Sequence, residues 1–249
     1  MSNSNNNKTF YQTSMMSALI AGLYQGDFTI GQLLDHGNFG IGTFNDLDGE
    51  MIVMGDEVYQ LTSTGDVHLV DHDITTPFAS VVNFAPTEKL SLIELSKNEF
   101  EACLEKDLLA HNAINAIRLT GEFSYVKTRT VPAQHRPYPP MVEVVKHQPI
   151  AEMTHVSGVM IGFKIPDYMI GINVPGFHFH FISDDRTQGG HVSDFILTEG
   201  EVEVEVFKDF HLRMPASQEF DQADLHPKDL KAAIHVTEKL LFISPYDFL

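Results

Sequence analysis

The chain has 249 residues, 43% of them hydrophobic, enough to bury a core in one compact unit or two closely packed lobes. Sixteen Lys and Arg stand against 34 Asp and Glu, and the net charge of −18 disfavours nucleic acid and anionic lipid as partners. Cys103 is the single cysteine, so no intrachain disulfide can form, and no run of about 18 apolar residues is present to span a membrane.

The opening stretch MSNSNNNKTFYQTS is polar and lacks the charged-then-apolar pattern of a secretory signal. It reads as a frayed tail over residues 1–14, ahead of an N-terminal α+β lobe at 15–150 and a β-rich lobe at 151–249. In residues 15–24, Met15, Met16, Leu19, Ile20 and Leu23 recur at helical spacing. FGIGTFNDL, EMIVM and VYQL follow, separated by Asp48-Gly49 and Gly55-Asp56, and read as a strand meander; VHLVDHD and FASVVNF add two strands. Ser96 and Glu99 have capping-box spacing and open a helix striped by Phe100, Cys103, Leu104 and Leu108.

Beyond that helix, NAINAIRLTGEFSYVKTRTV reads as two strands around Thr120-Gly121, and PAQHRPYPP as a proline-pinned loop. HVSGVMIGFKI reads as a strand with glycine breaks. FHFHFIS and HVSDFIL flank DDRTQGG as a hairpin, and EVEVEVF follows with period-two alternation. Glu201, Glu203 and Glu205 there read as a solvated sheet face rather than a calcium site. Pro227 starts a terminal helix carrying Leu230 and Ile234. Hairpins outnumber βαβ patterns. The expected fold is therefore α+β, with mixed, mostly antiparallel sheets in two closely packed lobes and a few flanking helices. No GxGxxG or P-loop motif supports a nucleotide-binding fold.

GFHFHFISDDRTQGGHV is the most informative segment. Side chains alternate faces along a strand, so His178 and His180 share one face while Phe177, Phe179 and Phe181 take the other. The glycine-rich turn lets the chain reverse and bring His191 beside them. Three imidazoles on a hairpin leave a coordination position open, as catalytic metal sites do, and imidazole suits zinc as well as iron, copper or nickel. With 13 histidines in the chain, chance clustering is the competing explanation. A cupin-type oxygenase would need a glutamate shortly after the HxH, where this chain has FISDDRTQGG.

DLDGEMIVMGDEVYQL, FSYVKTRTVPAQHRPYPP and GFKIPDYMIGINVPGFHFHF, with the histidine segment, resemble the α-acetolactate decarboxylase family in the same order over roughly residues 15–240. The resemblance implies a zinc enzyme converting 2-acetolactate, a small 2-hydroxy-3-keto acid, to acetoin and CO2 without an organic cofactor. It implies His178, His180 and His191 as zinc ligands, with catalytic roles for Glu50, Arg129 and Glu238, Arg129 and Glu50 also contacting substrate. Glu219 and Glu205 compete with Glu238 for the C-terminal role.

Read on its own, Glu50 opens a strand on the face of Ile52 and Met54, where apolar neighbours favour a raised carboxyl pKa. The alternative is a turn-edge glutamate in water. Arg129 ends a strand, where its planar fork could hold a carboxylate, or it is a surface strand residue. A different three-histidine enzyme, a hydrolase or cupin-like oxygenase, stays open alongside a non-catalytic metal- or ligand-binding module. Burial of Glu50 and Arg129 beside the histidines is the discriminating observation. The expected setting is cytoplasmic, and a homodimer is left open.

Overall fold

The computed structural model describes residues 8–226 and 230–239, apart from the side chains of 235, 238 and 239. Two sheets dominate it. The first has seven strands in the order β14-β1-β8-β3-β4-β5-β6. Here β1 is Thr9–Thr13, β3 Phe39–Thr43, β4 Glu50–Met54 and β5 Glu57–Leu61. The remaining members are β6 at Val67–Leu69, β8 at Phe78–Val82 and β14 at Asp209–Arg213. The expected meander is β3-β4-β5-β6, each antiparallel to the next. A short pair, β2 (Phe28–Thr29) and β7 (Thr75–Thr76), lies apart.

The second sheet uses β9 (Glu88–Ser96), β10 (Ile114–Arg129), β11 (Ile150–Ile165), β12 (Gly176–Ser183) and β13 (Gly189–Phe207). All its pairings are antiparallel, and β10 bonds to both β11 and β13. With β11 on β12 and β12 on β13, the ring closes into a small barrel, and β9 adds to β13. Alternation along the strands gives the barrel two apolar faces. Ile117, Leu119, Phe181 and Phe195 fill one with Phe100 and Leu104 of α3 (Lys97–Asp107). Ala116, Ile161, Phe163 and Ile182 meet Phe39, Ile41 and Ile52 of the first sheet on the other. Ser96 caps α3 through the expected reciprocal box with Glu99.

Several expectations are corrected. Residues 9–13 are a strand with a buried core residue in Phe10, because β1 finds partners on both sides, β14 in parallel and β8 antiparallel. Position 150 divides no sheet: β9 and β10 pair with strands from the C-terminal part, and β14 returns to β1. The helix expected over 15–24 is one turn, α1 at Met16–Ile20, and Gly22 lies beyond its end at φ +87°. Cys103 is only half-buried. Pro227 falls outside the described residues.

Segment 114–129 is one strand, not two. Gly121 pairs with Gly158 of β11 and Gly200 of β13, so three glycines lie in a row across the barrel. A Cβ on Gly121 would approach the Glu199 carbonyl oxygen to 2.3 Å, and one on Gly158 the Ile182 oxygen to 2.5 Å. The glycines thus permit close strand approach rather than a turn, and they also explain why β11 and β13 run unbroken. The Glu201–Glu205 face is likewise not uniformly solvated. Glu205 has no exposed surface, accepts a 2.6 Å hydrogen bond from the Ala85 amide and pairs with Lys8 at 3.3 Å. Glu203 is buried against Lys89 and Arg118. Burial pushes its carboxyl up, but hydrogen bonds from those two cations outweigh this and hold it below the usual range.

The other α-helices among the described residues are α2 (Ile30–Leu34), α4 (Met141–Val144), α5 (Gln218–Gln222) and α6 (Leu230–Lys239). Ile234 of α6 packs with Met16, Leu19 and Met141, so α1, α4 and α6 share one apolar cluster. No helix among the described residues is long and apolar enough to cross a membrane. Gly121→Ala should fold less stably by about 1–3 kcal/mol, the usual cost of overpacking. Chemical denaturation of the variant beside wild type measures it.

Candidate metal centre and active-site cleft

The end of the barrel nearest β4 gathers Glu50, Arg129, His178, His180 and His191. His178 and His180 sit on β12 facing the seven-stranded sheet, while Phe179 and Phe181 fill the barrel behind them. His191 enters through the hairpin. It pairs directly with His180 on one side and with Arg129 at the end of β10 on the other. Gly190, at φ +148°, makes this approach possible, since a Cβ there would come within 2.8 Å of Thr130 Oγ1.

The three histidines offer ligand atoms that all lie within 4.8 Å of one another. Their donor set suits one divalent cation, and a specific feature supports the fit. His180 Nδ1 lies 2.8 Å from the Met51 carbonyl oxygen, an acceptor, so Nδ1 carries the proton and Nε2 keeps its lone pair. That Nε2 is buried without a hydrogen-bond partner, the state expected of an atom reserved for a metal. Burial, joined by the positive charge of Arg129, holds His178 down to about 3. Burial, with repulsion from the neighbouring imidazoles and Arg129, also holds His180 and His191 far below the usual histidine range. All three are therefore neutral near pH 7, the form that binds metal.

Glu50 and Arg129 are both buried here, at 8% and 6% exposure, which decides against a turn-edge glutamate and a surface arginine. Glu50 Oε2 lies 3.4 Å from His180 Nε2, and Arg129 Nη2 lies 3.1 Å from His191 Nε2. The same cleft is walled by Met16, Leu47, Phe78, Val131 and Met141 and edged by Thr43, Gln148 and Thr237. Thr237 brings α6 to the cleft, next in sequence to Glu238. The Glu238 side chain lies outside the described residues. Of its two competitors, Glu205 is spent on Lys8 and Ala85, and Glu219 is an exposed partner of Arg136.

Sequence reasoning missed Thr43, Gln148 and Thr237. None sits in a metal-ligand or acid–base pattern; Gln148-Pro149 offered a local signal only in that proline fixes the residue before it.

A cleft between barrel and sheet, with three neutral imidazoles, a buried carboxylate and a buried guanidinium, defines a protein built around an enzyme-type metal centre. The family model described as alpha-acetolactate decarboxylase matches residues 10–227, and this chain belongs to that family. The alpha-acetolactate decarboxylase of Klebsiella aerogenes is 43% identical over 232 residues, covering 92% of this chain and 88% of that protein. The crystal structure of alpha-acetolactate decarboxylase from Bacillus subtilis strain 168 superposes with a TM-score of 0.91 at 40% identity, covering 93% of this chain and 99% of that one. A Staphylococcus aureus structure described as a protein of unknown function similar to alpha-acetolactate decarboxylase gives 0.89 at 32% identity, covering 92% and 100%.

Two outcomes follow from this geometry. Elemental analysis of purified protein should find about one divalent metal per chain, and His178→Ala, His180→Ala and His191→Ala should each lose most of it; full occupancy in all three would remove the assignment. The second concerns acid. The buried histidines have folded-state values below that of the unfolded chain, about 6.5. Below that pH the unfolded state takes up protons the folded state refuses, so stability falls as pH drops from about 7 towards 5. Thermal unfolding of chelator-stripped protein across that window should show a declining midpoint, and a flat profile would contradict it.

Proposed function

We propose that this chain decarboxylates 2-acetolactate to acetoin and CO2. The observation that carries the reading is the convergence of Glu50 and Arg129 on the three-histidine cluster, in a chain of this family. Breaking the bond to CO2 leaves an electron pair on the substrate's C2, which the adjacent ketone accepts to give an enediolate. A divalent cation held by His178, His180 and His191, for which the imidazole donors favour zinc, supplies when bound a Lewis acid that stabilises negative charge on the two neighbouring oxygens.

The remaining work falls to the chain itself. Arg129 is the buried cation of the cleft, and its planar fork suits the substrate carboxylate and the charge that develops as CO2 leaves. Glu50, on β4, is positioned to handle protons. Adding one to C2 forms the C–H bond and restores the ketone, and delivery from one face sets the stereochemistry of acetoin. The family resemblance gives Glu238 a share in this proton handling. The apolar walls accommodate the substrate's two methyl groups and keep water from competing for the proton. No organic cofactor is required, since the substrate carries its own electron sink. The lone cysteine supports a reducing, cytoplasmic setting.

The purified protein should form acetoin from 2-acetolactate, lose the activity to a chelator and regain it with added divalent metal. Absence of acetoin would overturn the reading. In the same assay Glu50→Gln should stay folded and keep its metal, yet lose at least about tenfold in turnover per bound metal, because acid–base groups contribute about 10²–10⁴-fold. Arg129→Lys, which keeps charge but not the fork, should show a comparable loss; near-normal rates would move either residue to a structural role.

A further inference from the structure

Four buried side-chain atoms lack a hydrogen-bond partner among the described residues: Glu101 Oε1, Glu205 Oε1, His180 Nε2 and Gln148 Oε1. The two glutamate oxygens have ammonium partners, Lys97 at 2.9 Å and Lys8 at 3.3 Å. The other two belong to residues lining the same cleft. The cation site accounts for His180 Nε2. Gln148 Oε1 has no such explanation. An amide oxygen withdrawn from water without a donor is unfavourable unless something bound there supplies one.

The backbone holds Gln148 in place. Pro149 biases it to the extended region, and it adopts φ −65° and ψ 129°. The Pro149 carbonyl accepts from the Thr130 amide at 3.3 Å, and Ile150 pairs with Arg129. Gln148 is thus carried at a fixed offset from the arginine. The neutral polar groups beside it have spent their hydrogens: Thr43 donates to the Gly49 carbonyl at 2.8 Å and Thr237 to that of Ile234 at 3.0 Å. A neutral acceptor in a cleft with a buried arginine fits a ligand that is at once an anion and a hydroxyl donor. A second carboxylate at this place would repel the anion.

We propose that Gln148 is a specificity-determining residue that accepts a hydrogen bond from the hydroxyl of a 2-hydroxy acid. The identity of that acid as substrate rests on the decarboxylase reading; the hydroxyl contact is testable without it. Calorimetric titration of the metal-loaded full chain with 2-hydroxy-2-methylpropanoate and with 2-methylpropanoate, the same acid without its hydroxyl, gives a hydroxyl preference as a ratio of Kd values. Wild type should favour the hydroxy acid. Gln148→Met should shrink the ratio roughly five- to tenfold, the size of one net hydrogen bond. Gln148→Glu, which keeps an acceptor but adds charge, should weaken both acids and retain most of the ratio; it also serves if the methionine variant fails to fold. An unchanged ratio in Gln148→Met, or none in wild type, at normal metal content would overturn the proposal. Loss of the ratio in a protein that makes no acetoin would support Gln148 and sink the decarboxylase reading; acetoin formation with the ratio untouched would do the reverse.

Discussion

The contact between His180 Nδ1 and the Met51 carbonyl joins the two sheets at the point where the chemistry is placed. Met51 follows Glu50 on β4, and His180 lies between its partners Ile161 and His191 in the barrel. One hydrogen bond therefore fixes the imidazole's tautomer, aims Nε2 into the cleft and sets how far Glu50 stands from it. The packing of Ile52 against Ile161 and Ile182, in the core between the sheets, keeps that bond in register. A shift of β4 by one residue would turn Glu50 away from the histidines, to the face that Met51 and Val53 now occupy.

Electrostatics reinforce the arrangement. A surface with a net charge of −18 would repel a carboxylate, so an anionic substrate needs a concentrated positive centre. The Arg129 guanidinium lies buried in the lining of the cleft, where screening by salt is weak. The same charge discourages protonation of the adjacent imidazoles, which keeps the ligand set available. Elsewhere buried carboxylates are tolerated only beside cations, as Glu203 is with Lys89 and Arg118.

Much of this was legible in the sequence where a local rule sufficed. The HxH alternation, the glycine turn before His191, the capping box at Ser96 and the meander after residue 39 each depend on spacing within a few residues. What was not legible depended on distant partners. A glycine in LTGEF signals a turn until Gly158 and Gly200 are known to lie beside it, when it becomes the thin strip that lets a barrel wall curve. Glu205 looks solvated until Ala85 and Lys8 are seen to close over it, and Glu203 until Lys89 and Arg118 are seen beside it. Gln148 carries no motif, and only its place in the lining of the cleft that also holds Arg129 gives it meaning.

The parallel pairing of β1 with β14 has a consequence for how the chain folds. These strands are about two hundred residues apart, and β1 lies between β8 and β14 in its sheet. During synthesis, β1 can dock on β8 early but has an open flank until residues 209–213 have been made. Closure of that flank also draws the end of the barrel's longest strand, β13, against the first sheet. Such long loop closures slow folding, so assembly of the catalytic cleft is tied to a late, sequence-distant event rather than to either sheet alone.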